Sequence, residues 1–239
     1  MKHEKAFILK DGTETWGKKM TFESSKTLGG IGALLMFIGV FPYINYLGII
    51  PLIGAILVLV ALHGFADIYK ESGIFDNALY GIIAGIVGVV LSVVIGIAVI
   101  LPNIKDFLLK LFPSWNGDWS TLPSLSGMTP NTSNIGFGDV IPFITAAILV
   151  IATFWVFAII ATFFYRRSLQ QLSARTNVGL FSTTGWLLLI GAVLVIVFGL
   201  GLLFLWIAML ILAIAFFTMK PQATQPTMVT ATPLTPTPV

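Results

Sequence analysis

The longest uncharged segment reads TNVGLFSTTGWLLLIGAVLVIVFGLGLLFLWIAMLILAIAFFTM, from Thr176 to Met219, and holds 44 residues without Asp, Glu, Lys or Arg. Three further runs share this property and cover residues 27–66, 77–104 and 140–165. A helix of about 20 apolar residues crosses a hydrocarbon core that is about 30 Å thick. Because a soluble helix of this length needs a polar face, these runs predict membrane-spanning helices.

The composition agrees with this prediction. Of the 239 residues, 57% are hydrophobic and only 10% are charged, and the mean hydropathy is +0.98. A soluble domain carries more charge than this on its surface. The absence of Cys excludes disulfides, thiolate metal sites and a Cys nucleophile. A net charge of +3 is too small to indicate nucleic-acid binding, so we expect the lipid bilayer to be the main partner.

Two of the uncharged runs are too long for a single crossing. As continuous helices, runs 27–66 and 176–219 would measure about 60 Å and 66 Å, so each predicts a hairpin, with turns at residues 41–46 and 198–201. The sequence therefore predicts an all-α polytopic membrane bundle of about six transmembrane segments, arranged as a hairpin, two long spans and a second hairpin. They cover approximately residues 27–41, 46–66, 77–101, 140–165, 180–198 and 201–219. In an alternative, one or both hairpins are re-entrant and turn inside the bilayer.

The distribution of Lys and Arg predicts the orientation. In the six-segment topology, 11 of the 13 basic residues lie on the same side as the N-terminus. Basic residues favour the cytoplasmic side, so we expect a multi-pass protein of the cell membrane with both termini in the cytoplasm. The expected divisions are a cytoplasmic segment 1–26, a hairpin plus third span 27–101, an external Pro-rich loop 102–139, a fourth span plus second hairpin 140–219, and a disordered Thr/Pro-rich tail 220–239.

Several shorter patterns lie outside the spans. Asp11-Gly12 is typical of a β-hairpin turn, and residues 104–112 predict a short helix on the membrane surface. Residues 166–175 predict a helical extension of the fourth span, and Gly138-Asp139 predicts its N-cap. Asn131-Thr132-Ser133 matches a glycosylation sequence, although its occupancy stays open.

Small residues form a stripe along the third predicted span. They fall within an arc of about 80° on one helix face and comprise Gly81, Gly85, Gly88, Ser92 and Gly96. Small residues allow helices to approach closely in lipid. We therefore expect this small-residue stripe to contact a neighbouring span, with a narrow path or a dimer seam as alternatives.

A few ionisable residues are clustered near the end of the second span. His63 and Asp67 lie four residues apart and share a helix face, and Asp76 and Asn77 follow across a short loop. Such a polar cluster could bind a metal or relay protons. The ordinary interpretation is a histidine at a helix end, a loop carboxylate and an N-cap. We favour it because the residues are not deep in the bilayer, and we assign no catalytic, cofactor or metal site.

The two hairpins resemble each other in sequence. Residues 27–39 parallel 183–191, and residues 53–62 parallel 207–216. This echo predicts an internal repeat in which the two copies run parallel. The alternative is that any two apolar spans look alike.

Four segments also carry a resemblance to a known family. They are FESSKTLGGIG at 22–32, ALHGFAD at 61–67, FDNALYG at 75–81 and ILAIAFF at 211–217. The chain resembles archaeal and bacterial multi-pass membrane proteins catalogued only as a domain of unknown function, over about 21–101 and 140–219. The resemblance implies an uncharacterised membrane protein, archaeal in origin, and brings no functional residues with it.

Three functions follow from these patterns. The leading hypothesis is a non-enzymatic scaffold or partner subunit that binds other membrane proteins or a second copy, because buried ionisable residues are absent from the predicted spans. The second is a small permease or channel, which the hairpin echo suggests. The third is an enzyme or metal site around His63 and Asp67, although the sequence contains no catalytic motif. A polar cavity would favour transport, whereas a dry core would favour assembly.

Overall fold

A computed structural model of the chain describes residues 20–40, 48–197 and 199–221. Within them lie six α-helices: α1 (Phe22–Ile38), α2 (Ile49–Tyr69), α3 (Ser72–Leu111), α4 (Phe137–Thr176), α5 (Gly179–Leu194) and α6 (Leu200–Thr218). A 3-10 helix (Trp119–Gly127) separates α3 from α4, and the described residues form no strand. The predicted all-α class is therefore confirmed. The expected Asp11-Gly12 turn, the first hairpin turn at 41–46, Phe198 and the tail from residue 222 lie outside the described residues.

The six helices form a closed ring. Each helix packs against its neighbours in sequence, and α6 returns to pack against α1. At that last contact the rings of Phe216 and Phe217 lie directly against Gly29 and Gly30. The largest buried side chains gather at the end of the ring where α1 begins and α6 ends, and include Leu62, Phe65, Ile74, Leu169, Leu172, Phe181 and Phe216.

The number of complete spans differs from the prediction. Only four helices among the described residues, namely α2, α3, α4 and α6, are long and apolar enough to cross a membrane. Helix α5 has 16 residues and α1 has 17, fewer than the roughly 20 that a crossing needs. Thr21 caps α1, so Glu23 and Lys26 occupy its first turns and shorten its apolar part. Counting uncharged residues overestimated the number of complete spans, because the residues of a hairpin turn are uncharged as well and lengthen the run.

The two long helices extend further than the sequence suggested. Helices α3 and α4 have 40 residues each and measure about 60 Å. Helix α3 continues through Pro102 and ends at Leu111, so the surface helix expected at 104–112 is wrong: that segment is the last part of α3. Pro102 lacks an N–H donor, and the Asn103 Nδ2 donates to the Val99 carbonyl at 2.7 Å one turn away. The extension expected at 166–175 is confirmed within α4.

The α3/α4 pair rises well beyond the α5/α6 hairpin. The Trp155 Nε1 donates to the Ala192 carbonyl at 3.0 Å, which places the end of α5 beside the middle of α4. Helix α4 begins 18 residues before Trp155, so it continues for about 27 Å past this contact. The ring contact between His63 and Phe75 likewise places α2 beside the first half of α3. We call residues 90–111 and 137–153 the α3/α4 extension.

A loop closes the end of this extension. The Trp115 ring is buried, and its Nε1 donates to the Thr121 Oγ1 at 2.9 Å. An ion pair joins Lys110 on α3 to Asp139 on α4. The cap expected at Gly138-Asp139 lies two residues earlier, because the N-cap of α4 is Gly136, and Asp139 in the first turn accepts from the Gly136 N–H. Asp118 caps the 3-10 helix, because its carboxylate accepts a hydrogen bond from the backbone N–H of Ser120. This bond holds the pKa of the Asp118 carboxyl below the usual range. The loop therefore fixes the two long helices relative to each other.

The two short hairpins are each held by close backbone contact between glycines. In α1/α2 the pair is Gly32 and Gly54, and in α5/α6 it is Gly191 and Gly201. These pairs do not fall at equivalent positions in the sequence echo described above. The contacts therefore give the predicted internal repeat no support.

Candidate functional site

The structure brings most of the polar cluster together in a shallow surface pocket. His63 and Asp67 on α2 face Asp76 on α3 across a space of about 360 Å³. The His63 Nδ1 lies 3.8 Å from the Asp67 Oδ2, and the two side chains are 54% and 64% exposed. Asn77 does not line this pocket, because its Nδ2 donates to the Gly73 carbonyl of its own helix at 2.6 Å.

This geometry offers little for catalysis or metal binding. Within the described residues, no group of three or more His, Asp or Glu side chains is arranged to hold a metal ion. Water screens the attraction between exposed charges, and such pairs contribute about 0–1 kcal/mol. The polar cluster therefore has the character of a solvated helix end.

Replacing His63 or Asp67 with Ala should leave the fold intact. We expect the free energy of unfolding to change by less than about 1 kcal/mol, because the pair is exposed and longer than a hydrogen bond. Thermal unfolding in detergent, with and without added zinc, measures this. A zinc-dependent stabilisation that disappears in His63→Ala but persists in Asn77→Ala would contradict the expectation.

Part of the small-residue stripe lies in the contact between α3 and α4. A Cβ on Gly81 would lie 2.8 Å from the Tyr165 ring. A Cβ on Gly88 would overlap the Cβ of Phe157 on the same neighbour. Both glycines are buried, so they allow α3 and α4 to approach closely.

The remaining stripe residues differ from one another. The Ser92 Oγ donates to the Val150 carbonyl at 3.4 Å, and a Cβ on Gly96 would meet the Val150 side chain at 3.3 Å. A Cβ on Gly85, by contrast, would meet no atom within 4 Å. Gly85 thus faces an open space rather than a packed helix.

That space is a central cavity, partly open to the outside, between the helices of the ring. It has a volume of about 390 Å³, within the range of small-molecule pockets. All six helices contribute to its almost entirely apolar lining, for example through Met36, Ala55, Val89, Phe157, Leu188 and Leu205. Sequence reasoning missed this cavity because it depends on how distant segments pack. Gly85, the stripe member without a packing partner, is the single trace of it in the sequence.

The apolar helix ring, its uncharged spans and the apolar lining of the central cavity define an integral-membrane helical bundle. The chain belongs to the family described as "Protein of unknown function (DUF996)", whose sequence profile matches residues 50–211. It is 26% identical over 204 residues to the uncharacterized protein MJ1644 of Methanocaldococcus jannaschii, covering 84% of this chain and 94% of that relative. No solved structure matches the chain. The family resemblance predicted from the sequence is therefore confirmed, and it carries no assigned activity.

Proposed function

We propose that this protein is a non-enzymatic membrane component that serves as a helix-packing scaffold or partner subunit. The observation that carries the proposal is the apolar surface of the α3/α4 extension. The small residues of this extension pack between α3 and α4. Large aliphatic side chains remain exposed on both helices. They include Val90, Val94, Ile144, Ile148 and Ile151. Helices associate in lipid by van der Waals packing, and the extension presents two adjoining helices against which another membrane protein or a second copy of this chain can pack.

The lining of the central cavity favours assembly over transport. A path for ions or polar solutes needs polar or charged groups along it. Thr162 supplies one of the few hydroxyls in the lining, and it donates to the Ala158 carbonyl of its own helix at 2.9 Å. A permease remains the second candidate, because the cavity lies at the centre of the helix ring.

We further propose that both termini lie in the cytoplasm of a cell membrane. The bias of basic residues supports this orientation. The contact of Gly29 with Phe216 brings the start of α1 and the end of α6 to one end of the bundle. Arg166 stacks on the Trp186 ring at 3.5 Å near that end, as expected for an aromatic and basic interface anchor.

A photo-crosslinking amino acid placed at Ile148 should give discrete protein crosslinks in cells. Ile148 lies on the α3/α4 extension and is 61% exposed. Ile214 on α6 is also exposed but lies outside the extension, so the same probe there should give no discrete protein band. Electrophoresis and mass spectrometry of the products measure the result. Equal labelling of lipid alone at both positions, together with solute flux in reconstituted vesicles, would favour the permease instead.

A further inference from the structure

A second apolar space adjoins the central cavity. It is a groove of about 590 Å³ along the α3/α4 extension, and it reaches from Ser92 to Ile104 and Trp119 of the outer loop. Val89 and Phe154 line both spaces. The cavity and the groove therefore adjoin at Val89 and Phe154, and we call the two spaces together the apolar track.

We infer that this track is a binding site for one hydrocarbon tail of a membrane lipid, which enters beside Phe154 and lies in the central cavity. The first support is that water does not suit the space. A buried water needs two to four polar partners, whereas the lining is nearly all carbon. The Ser92 hydroxyl, which lines the groove, is directed at the Val150 carbonyl.

The mouth of the track faces the bilayer. Val89 is 49% exposed and Phe154 is 50% exposed, and both lie within uncharged spans where lipid tails are the surrounding solvent. Lipid is therefore the most concentrated apolar molecule at this entrance. An unfilled cavity would forfeit the dispersion contacts that a tail supplies to its lining.

The dimensions agree with a single tail. The cavity lining extends along α4 from Phe154 to Leu169, about 22 Å of helix, which exceeds half of a hydrocarbon core about 30 Å thick. A helix from a second copy, about 10 Å across, would fill the cavity volume in roughly one turn. A non-helical peptide would bring unpaired backbone groups into an apolar space.

Gly85→Leu provides a direct way to block the track. A Cβ at Gly85 meets nothing within 4 Å, so the Leu side chain can occupy the cavity without displacing a helix. Gly138→Leu is the matched control, because Gly138 also has open space around it but lies at the start of α4. Ala55→Leu fills the cavity from α2 and replaces Gly85→Leu should that variant not fold.

The test uses a lipid that carries a photoactivatable diazirine on its tail. The purified full-length protein is reconstituted with this lipid, irradiated and mapped by mass spectrometry. Leu188 and Leu212 line the cavity and are at most 6% exposed, so labels there come from inside the ring. We expect labelling at both in the wild type and in Gly138→Leu, and a decrease of roughly tenfold in Gly85→Leu. Labelling of exposed Ile214 should stay unchanged.

Two outcomes would overturn the inference. In the first, Ile214 is labelled but Leu188 and Leu212 are not, which means that the lipid stays outside the ring. In the second, Gly85→Leu or Ala55→Leu is labelled at Leu188 and Leu212 as strongly as the wild type. Because the proposed scaffold role is read from protein crosslinks at Ile148, either idea can fail while the other stands.

Discussion

Gly54→Ala should destabilise the protein, whereas Gly85→Ala should leave its stability unchanged or raise it. A Cβ on Gly54 would lie 2.5 Å from the carbonyl oxygen of Gly32, so the clash is with backbone and no side-chain rotation relieves it. Overpacking of this kind costs about 1–3 kcal/mol or more, beyond the gain of about 1 kcal/mol that Ala brings over Gly in a helix. Thermal unfolding in detergent measures the change in midpoint temperature.

Gly85→Ala is the matched control for this substitution. Both glycines are inside apolar helices, and only Gly85 has free space around it. At Gly85, Ala should therefore show only the stabilising effect of its higher helix propensity, without a steric clash. Equal midpoints for the two variants would show that α1 and α2 do not pack at Gly32 and Gly54, and would contradict the described hairpin.

The sequence was sufficient to predict the class of fold and the order of its helices. A long run without charge indicates directly that the segment is surrounded by hydrocarbon, because an ion in hydrocarbon is costly in any topology. Helix ends were harder to predict. The third span was predicted to end at residue 101, before a Pro-rich loop, yet α3 continues through Pro102 to Leu111. Packing along α4 and the ion pair between Lys110 and Asp139 offset the cost of a proline inside the helix.

For the candidate sites too, some features could be predicted from the sequence and others could not. The spacing of His63 and Asp67 correctly placed them together, because four residues along a helix are neighbours on its surface. Spacing also placed Gly81 and Gly88 on one face. It could not show that Gly85, on that same face, lacks a partner, because this depends on side chains of other helices. A cavity is a property of packing between distant segments, and no local pattern encodes it.

The position of the α5/α6 turn beside the middle of α4 favours the re-entrant arrangement for this hairpin, even though α6 alone has the length of a span. Its end lies beside Trp155, which is 16 residues from Asp139 and therefore about 24 Å from the charged end of α4. A turn inside the bilayer must satisfy its own backbone. The N–H of Val197 donates to the Leu194 carbonyl at 3.0 Å, and that of Gly199 donates to the Val195 carbonyl at 3.2 Å. The described part of this turn thus needs no water for these donors.

Ile196→Cys should therefore stay unlabelled when intact cells are treated with a membrane-impermeant maleimide. Ser124 is exposed on the 3-10 helix between α3 and α4, which the proposed orientation places outside the cell, so Ser124→Cys should be labelled fully. The native chain contains no Cys, so each variant presents a single thiol, and labelling after denaturation verifies that the thiol is present. The expected contrast is all or none, because the position of Ile196 relative to the charged end of α4 keeps it within hydrocarbon. Labelling of Ile196→Cys at the rate of Ser124→Cys would show that the hairpin crosses the membrane completely.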